Sequence, residues 1–483
     1  MTLTTLNFIN GEWVSAQNGG FIRSINPSDF NEVVGTIADS TIEDLDDAVQ
    51  AAKRAGVSWM KLSAVDRGNF LHKAADILEN NVDEIAEIAT REMGKVLHEM
   101  KGEVKRGVAI LRYFAQEGMR QTGEVLPSAQ SNNFLYTKRV PIGVVGIITP
   151  WNFPVAIPLW KIAPALIYGN TVVFKSASET GITAAKLVEV FKKAGIPAGV
   201  INFINGKGSV IGQGMVEHND IQAISFTGSN EVGKQIAVGM AARGAKYQLE
   251  MGGKNPVIVL EDADLDLAAN LTVSGAMKQT GQRCTATSKA FVHSSVYDRF
   301  KERVIEKVQS LKVGPGLFNK IDMGPLASKN QLDSVVDYID KGLTEGATLL
   351  AGGRIPVESE YTNGFFIEPT VFGNVTNNMV IAKEEIFGPV LCLIKVESFN
   401  EAIELANDNM FGLSASLFTK DLAKAFIFAD QIEAGLVQVN GETGGAEPQA
   451  PFGGMKASSS HSREQGQAAK EFFTTIKTIT ITP

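Results

Sequence analysis

The chain is expected to be an α/β protein with two mostly parallel, helix-covered sheets and a short β extension. Three observations carry this expectation. Between residues 143 and 251, apolar runs of strand length alternate with helical stretches. Strands separated by helices pair in parallel and are buried on both faces. A second α/β alternation runs from near Asn255 to about residue 445. A chain of 483 residues also exceeds what one core ordinarily covers, so two or three domains are expected.

Taken in order, residues 1 to about 37 read as short extended pieces between the turn signals Asn10-Gly11, Asn18-Gly19-Gly20 and Asn26-Pro27. Thr41-Ile42-Glu43-Asp44 resembles a capping box and predicts a helix running through about Ala55. Two or three further helices are expected over 64–120, with apolar stripes facing a sheet. Residues 134–141 read as a strand. The first alternation places strands at Val144–Thr149, Thr171–Lys175, Val200–Ile204, Ala223–Thr227 and Tyr247–Met251, with helices that include Thr180–Ala194 and Glu231–Arg243. This is a Rossmann-like arrangement, in which a dinucleotide sits at the carboxyl ends of the strands. The second alternation places strands at Pro256–Leu260, Lys289–Val292, Val390–Val396, Ser414–Phe418 and Leu436–Asn440. Period-two alternation in the second half of Glu471–Thr482 predicts a terminal strand that needs a pairing edge.

Composition excludes several function classes. With 44% hydrophobic and 20% charged residues the chain reads as soluble and globular. A net charge of -8 lacks the basic footprint of a nucleic-acid binder. The two cysteines, Cys284 and Cys392, form no CxxC pair, and the five histidines form no HxxxH. Neither a disulfide framework nor a metal site is therefore expected. The N-terminal residues show no leader pattern, and no apolar run reaches membrane-spanning length. A cytoplasmic protein without a membrane partner is expected.

Several motifs bear on chemistry, each with an ordinary structural alternative. Gln279-Thr280-Gly281-Gln282-Arg283-Cys284-Thr285 places a cysteine among small and polar residues after a helical pattern. Such a cysteine is either core or a thiolate nucleophile. Cys392, inside an apolar strand, reads as core. Glu250 lies 34 residues before Cys284, where a strand meets Gly252-Gly253. It serves either a structural hydrogen bond or general-base chemistry. The prolines of Pro150-Trp151-Asn152-Phe153-Pro154 fix the backbone about Asn152, as turn chemistry or to aim its amide at a developing oxyanion. Lys175 ends a strand. Gly206-x-Gly208-x-x-x-Gly212 and Phe226-Thr227-Gly228-Ser229-x-x-x-Gly233 both link a strand to a helix, as plain turns or as phosphate cradles. The first departs from the dinucleotide fingerprint by one residue.

Together these motifs resemble the NAD(P)-dependent aldehyde dehydrogenase superfamily over nearly the whole chain. The resemblance implies that Cys284 attacks an aldehyde to give a hemithioacetal and then a thioester, that Glu250 activates the hydrolytic water, and that Asn152 donates to the oxyanion. A glutamate at this position favours water over coenzyme A as acyl acceptor. A coenzyme A-acylating enzyme and a non-enzymatic protein retaining the fold remain the other classes. The resemblance also implies NAD(P)+ contacts from Thr149, Pro150, Trp151, Lys175, Ser178, Gly208, Gly212, Phe226, Gly228, Ser229, Glu385 and Phe387. Ser178 stands where NAD-preferring members carry a glutamate, so NADP is expected to be accepted. Domain bounds follow as 1–121 with 142–252 for the cofactor, 253–450 for catalysis, and 122–141 with 466–483 as oligomerisation strands of a homodimer or homotetramer. The segments around Ile157–Pro164, Gly281–Cys284 and Ser462–Gly466 most resemble the 2-oxoglutarate semialdehyde dehydrogenases. A short aldehyde acid is then the expected substrate, with Arg283 or Arg463 available to its carboxylate and Trp160 near it. Succinate semialdehyde and a broad range of aliphatic or aromatic aldehydes are the alternatives.

Overall fold

In the computed structural model, residues 3–483 are described; the reading of the N-terminus that begins at Met1 lies partly outside them. The chain forms two seven-stranded sheets, each carrying helices, and smaller β pieces. In the first sheet the strands Val144–Ile148, Thr171–Lys175, Ile201–Phe203, Ile221–Thr227 and Lys246–Glu250 run parallel. Their residues are almost all buried, as expected of a parallel sheet covered on both faces. The Asn7–Ile9 and Glu12–Val14 hairpin adds antiparallel to the Ile201–Phe203 edge. The sequence showed these N-terminal pieces as extended but not which edge they close.

The first long helix, Ile42–Trp59, carries the expected capping box between Thr41 and Asp44. Three more helices, Ala64–Asn80, Val82–Met93 and Leu97–Glu117, pack apolar faces with Ala156–Ile167 into the largest core. The Ala156–Ile167 helix is buried throughout. Its N-terminus is held by Glu103, which accepts from Val155 N (2.8 Å) and Ala156 N (3.0 Å). A carboxylate there complements the helix dipole.

The second sheet contains parallel strands Asn255–Val259, Thr287–His293, Val390–Val396, Ser414–Phe418 and Leu436–Val439. Two further strands, Thr370–Gly373 and Thr348–Ala351, extend it, the last antiparallel. Their four-residue lengths gave no clear period-two signal. Cys392 is fully buried in this core. The tail differs in its first half from the expected strand: Ala469–Phe473 is a short helix, and the strand is Thr474–Ile481. Phe472 and Phe473 are buried against the first core, so tertiary burial decided that half. The strand pairs antiparallel with Phe134–Pro141 of its own chain, from Thr474 opposite Pro141 to Ile481 opposite Phe134, and forms a sheet edge. Among the described residues no helix is long and apolar enough to cross a membrane.

Candidate active site

The Cys284 loop begins where the Leu265–Met277 helix ends. Gln279 (φ 54°) and Thr280 (φ 58°) then take left-handed backbone conformations, followed by Gly281 (φ 66°). A β-branched residue in this region is strained, and strain of this kind persists only where the surroundings hold it. Here they do. Thr280 Oγ1 donates to Gly324 O (3.0 Å), Ala327 N to Gln282 Oε1 (2.9 Å), and Gln279 N to Glu99 Oε2 (3.1 Å). A Cβ at Gly281 would run into Gly388 O, so glycine is required at this turn. On the other side Asn255 Nδ2 bonds the carbonyls of Cys284 and Ala286, both at 2.8 Å.

Asn152 follows the Val144–Ile148 strand and is buried. Its carbonyl accepts from Lys95 Nζ (3.0 Å) and from Gln279 Nε2. Its amide Nδ2 donates to Gln282 O at 3.1 Å. An amide carries two N–H bonds, so one remains for a ligand. Asn152, after a strand of the first sheet, and the cysteine loop, before a strand of the second, are thus fastened to each other.

Glu250 ends the last strand of the first sheet and is 2% exposed. Ser459 Oγ donates to its Oε2 at 2.5 Å, while Oε1 is buried without a partner. Burial first, and then the nearby Glu464, push its pKa well above the ordinary carboxylate range. Glu464 is itself paired with buried Lys161, which also donates to Ser225 Oγ (3.0 Å). The Cys284 thiol is pushed up to about 12, by burial first and then by Glu385 and Glu250; the Thr285 N–H opposes this.

A cavity of about 250 Å³ opens where these segments meet. Pro150, Trp151, Asn152, Gly228, Ser229, Cys284, Glu385 and Phe387 all line it. Trp151 and Phe387 meet edge to face at 5.5 Å. Ser229 caps the Asn230–Ala242 helix, whose N-terminus faces the cavity. Glu385 Oε1 accepts from Gly253 N (3.0 Å), and burial raises its pKa to about 7. Phe226 is buried behind Gly228 and Gly233. Lys175 is buried at its strand end, with Nζ donating to Ser176 O (3.1 Å); desolvation lowers its pKa to about 8. Thr149 is buried with its hydroxyl unpartnered. Ser178 opens a single helical turn after Lys175, and Gly208–Gly212 form a π turn with open space above both glycines. A helix N-terminus, aromatic walls and a carboxyl in one cleft fit a dinucleotide.

Other expected residues do not line this cavity. Arg283 Nη2 donates to Ser274 O (3.3 Å) and Gly275 O (2.6 Å), carbonyls of the preceding helix. Arg463 Nη1 reaches Ser460 O (3.4 Å). Trp160 packs against Phe452 at 5.4 Å. Two residues were not found from sequence: Ser459, the partner of Glu250, and Gln331, whose Nε2 donates to Phe387 O (3.0 Å). Ser459 lies 209 residues from Glu250, and no local pattern links them.

A cleft between elements of the two sheets, with a thiol, an amide and a helix N-terminus in its wall, fits the class of dinucleotide-dependent oxidoreductases. Residues 13–479 match the model of the Aldehyde dehydrogenase family. The chain belongs to that family. It is 57% identical over 480 residues to the alpha-ketoglutaric semialdehyde dehydrogenase of Bacillus subtilis, covering 99% of this chain and 98% of that one. It is 42% identical over 471 residues to the 2,5-dioxopentanoate dehydrogenase of Saccharolobus solfataricus, covering 97% of each. A crystal structure of a betaine aldehyde dehydrogenase point mutant from Staphylococcus aureus, in complex with NAD+ and with a BME-modified cysteine, superposes with a TM-score of 0.97 at 36% identity, covering 99% and 96% of the two chains.

Proposed function

We propose that this enzyme oxidises 2-oxoglutarate semialdehyde, also called 2,5-dioxopentanoate, to the dicarboxylic acid with NAD(P)+. The observation that carries the chemistry is one cavity holding both the Cys284 thiol and the Asn152 amide, with buried Glu250 close enough to raise the thiol's pKa. The substrate reading rests on the names of the two relatives above. In this reading Cys284 gives up its proton to solvent, the thiolate attacks the aldehyde carbon, and the free Asn152 N–H together with the Cys284 backbone N–H stabilises the oxyanion. The dinucleotide, when bound, supplies the hydride acceptor that turns the hemithioacetal into a thioester. Glu250 then takes a proton from water, which attacks the thioester and frees the sulfur. Ser459 holds Glu250 in place for this step.

The cofactor would lie with its phosphates at the Ser229 helix start, its nicotinamide end near Trp151, Glu385 and Phe387, and its adenosine end near Lys175, Ser178, Gly208 and Gly212. Lack of a carboxylate at Ser178 removes repulsion of a 2′-phosphate. A kinetic panel of 2,5-dioxopentanoate, succinate semialdehyde, betaine aldehyde and a long alkanal tests both points. We expect kcat/KM for 2,5-dioxopentanoate to exceed that of the alkanal by roughly tenfold or more, and NADP to support turnover within an order of magnitude of NAD. Preference for betaine aldehyde would sink the substrate assignment, and a thousandfold preference for NAD would sink the cofactor one.

The residue bounds given above for the cofactor, catalytic and extension segments are part of the same proposal, as is a cytoplasmic setting that keeps the thiol reduced. The extension is assigned to self-association because the terminal strand leaves an unpaired edge bearing exposed Ile476 and Ile481. Sedimentation is expected to show a dimer or tetramer for the intact chain and a smaller species when residues 474–483 are removed. An unchanged species would refute the role of the tail.

A further inference from the structure

A substrate with a carboxylate at the end remote from the aldehyde needs a cation to receive it, and both arginines named from the sequence are turned in part to backbone carbonyls. Arg283 Nη2 holds two helix carbonyls, leaving Nε unpartnered, and Arg463 Nη1 reaches Ser460 O at 3.4 Å. A third arginine is placed differently. Arg106 lies on the Leu97–Glu117 helix, and its guanidinium stands over the Trp160 ring, 5.7 Å from the centroid. Trp160 in turn packs against Phe452. Arg106 is also close enough to Cys284 for the sulfur's charge to act on it.

Two donors in this group are buried without a hydrogen-bond partner: Arg106 Nε and Trp160 Nε1. Leaving buried donors unpaired is costly, and a group of the arginine type is expected to be bonded when desolvated. The nearest carboxylate along the helix, Glu103, does not serve it. Glu103 is paired with Lys95 and with the Val155 and Ala156 N–H groups. The guanidinium therefore keeps its fork free over the Trp160 ring, within electrostatic reach of Cys284.

From this geometry we infer that Arg106, backed by the Trp160 ring, is the specificity-determining residue that receives the terminal carboxylate of the aldehyde acid. This role rests on the substrate class proposed above. The planar fork suits a carboxylate bidentately, and stacking on the indole holds it in orientation at a cost in entropy already met before substrate arrives. The carboxylate end binds Arg106 while the aldehyde end reaches Cys284. Chain length between the two groups then sets which semialdehydes fit.

The test compares kcat/KM for 2,5-dioxopentanoate with that for pentanal in the wild-type enzyme and in Arg106→Met and Arg106→Lys. The ratio of the two substrates is read within one preparation, so partial loss of folded enzyme cancels. The acid-to-alkanal ratio is expected to fall roughly 10- to 100-fold in Arg106→Met, mostly through KM of the acid, and less in Arg106→Lys. Inhibition by glutarate should weaken in parallel. A wild-type ratio near one would overturn the substrate class, and this role with it. A strong wild-type preference that survives Arg106→Met, with glutarate inhibition intact, would overturn the assignment of Arg106 alone and leave the substrate class standing.

Discussion

Replacing Cys284 with alanine is expected to lower kcat by roughly 10⁴-fold or more. The proposed route requires a covalent bond from this sulfur to the aldehyde carbon, and among the described residues the second cysteine cannot substitute. Cys392 is fully buried in the second sheet, with its Sγ against Ile381 O at 3.5 Å. The loop around Cys284 is fastened by the Thr280, Gln282 and Asn255 side chains rather than by the thiol. Alanine should therefore leave the fold and the dinucleotide cleft in place. Steady-state nicotinamide reduction and a dinucleotide titration, measured on the same sample, separate the two. An alanine variant that keeps more than a few per cent of wild-type turnover would remove the thioester mechanism.

Glu250→Gln is expected to uncouple the two halves of the reaction. Acylation needs Cys284 and Asn152, so a burst of about one reduced nicotinamide per subunit should survive. Hydrolysis of the thioester needs the base, and steady-state turnover should fall roughly 10²- to 10⁴-fold. Glutamine retains an oxygen for Ser459 to bond, so geometry is preserved while basicity is lost. The pH dependence follows from the direction of the shift. Burial and Glu464 raise the Glu250 pKa, and only the ionised form is a base. Wild-type deacylation should thus rise as pH climbs through the raised value and disappear below it, and the glutamine variant should lack that limb. Stability runs the other way. The folded state holds this proton more tightly than the unfolded chain, so ionisation costs stability as pH rises above the ordinary carboxylate range. Glu250→Gln should then melt no lower than wild type near neutral pH. A variant with no burst and a lower melting temperature would show instead that Glu250 is structural.

Much of the fold was legible because parallel strands and their helices write their burial into local pattern. Val390–Val396 and Ser414–Phe418 fall where their apolar runs predict, and Thr41 caps the first long helix as its box suggests. The Gly281 turn and the Pro150–Pro154 segment were legible for a related reason, since special backbone geometry restricts residue type. The thiol, the amide and the glutamate were each visible as motifs, and family resemblance turned those motifs into roles.

Tertiary structure decided how distant segments meet. Glu250 gains its raised pKa from burial and then from Glu464, and its bond from Ser459, two residues more than 200 positions away. Arg283, adjacent to the cysteine in sequence, turns to the helix behind it, whereas Arg106, far away in sequence, stands over the Trp160 ring within electrostatic reach of the sulfur. Helix and strand periodicities report which face of a segment is buried, because that choice is made residue by residue. Electrostatic partners across a cleft are chosen by packing angles and loop lengths that no local period records. The sequence by itself thus determined the layers and the reactive groups, and the folded structure alone decided their partners and their charge states.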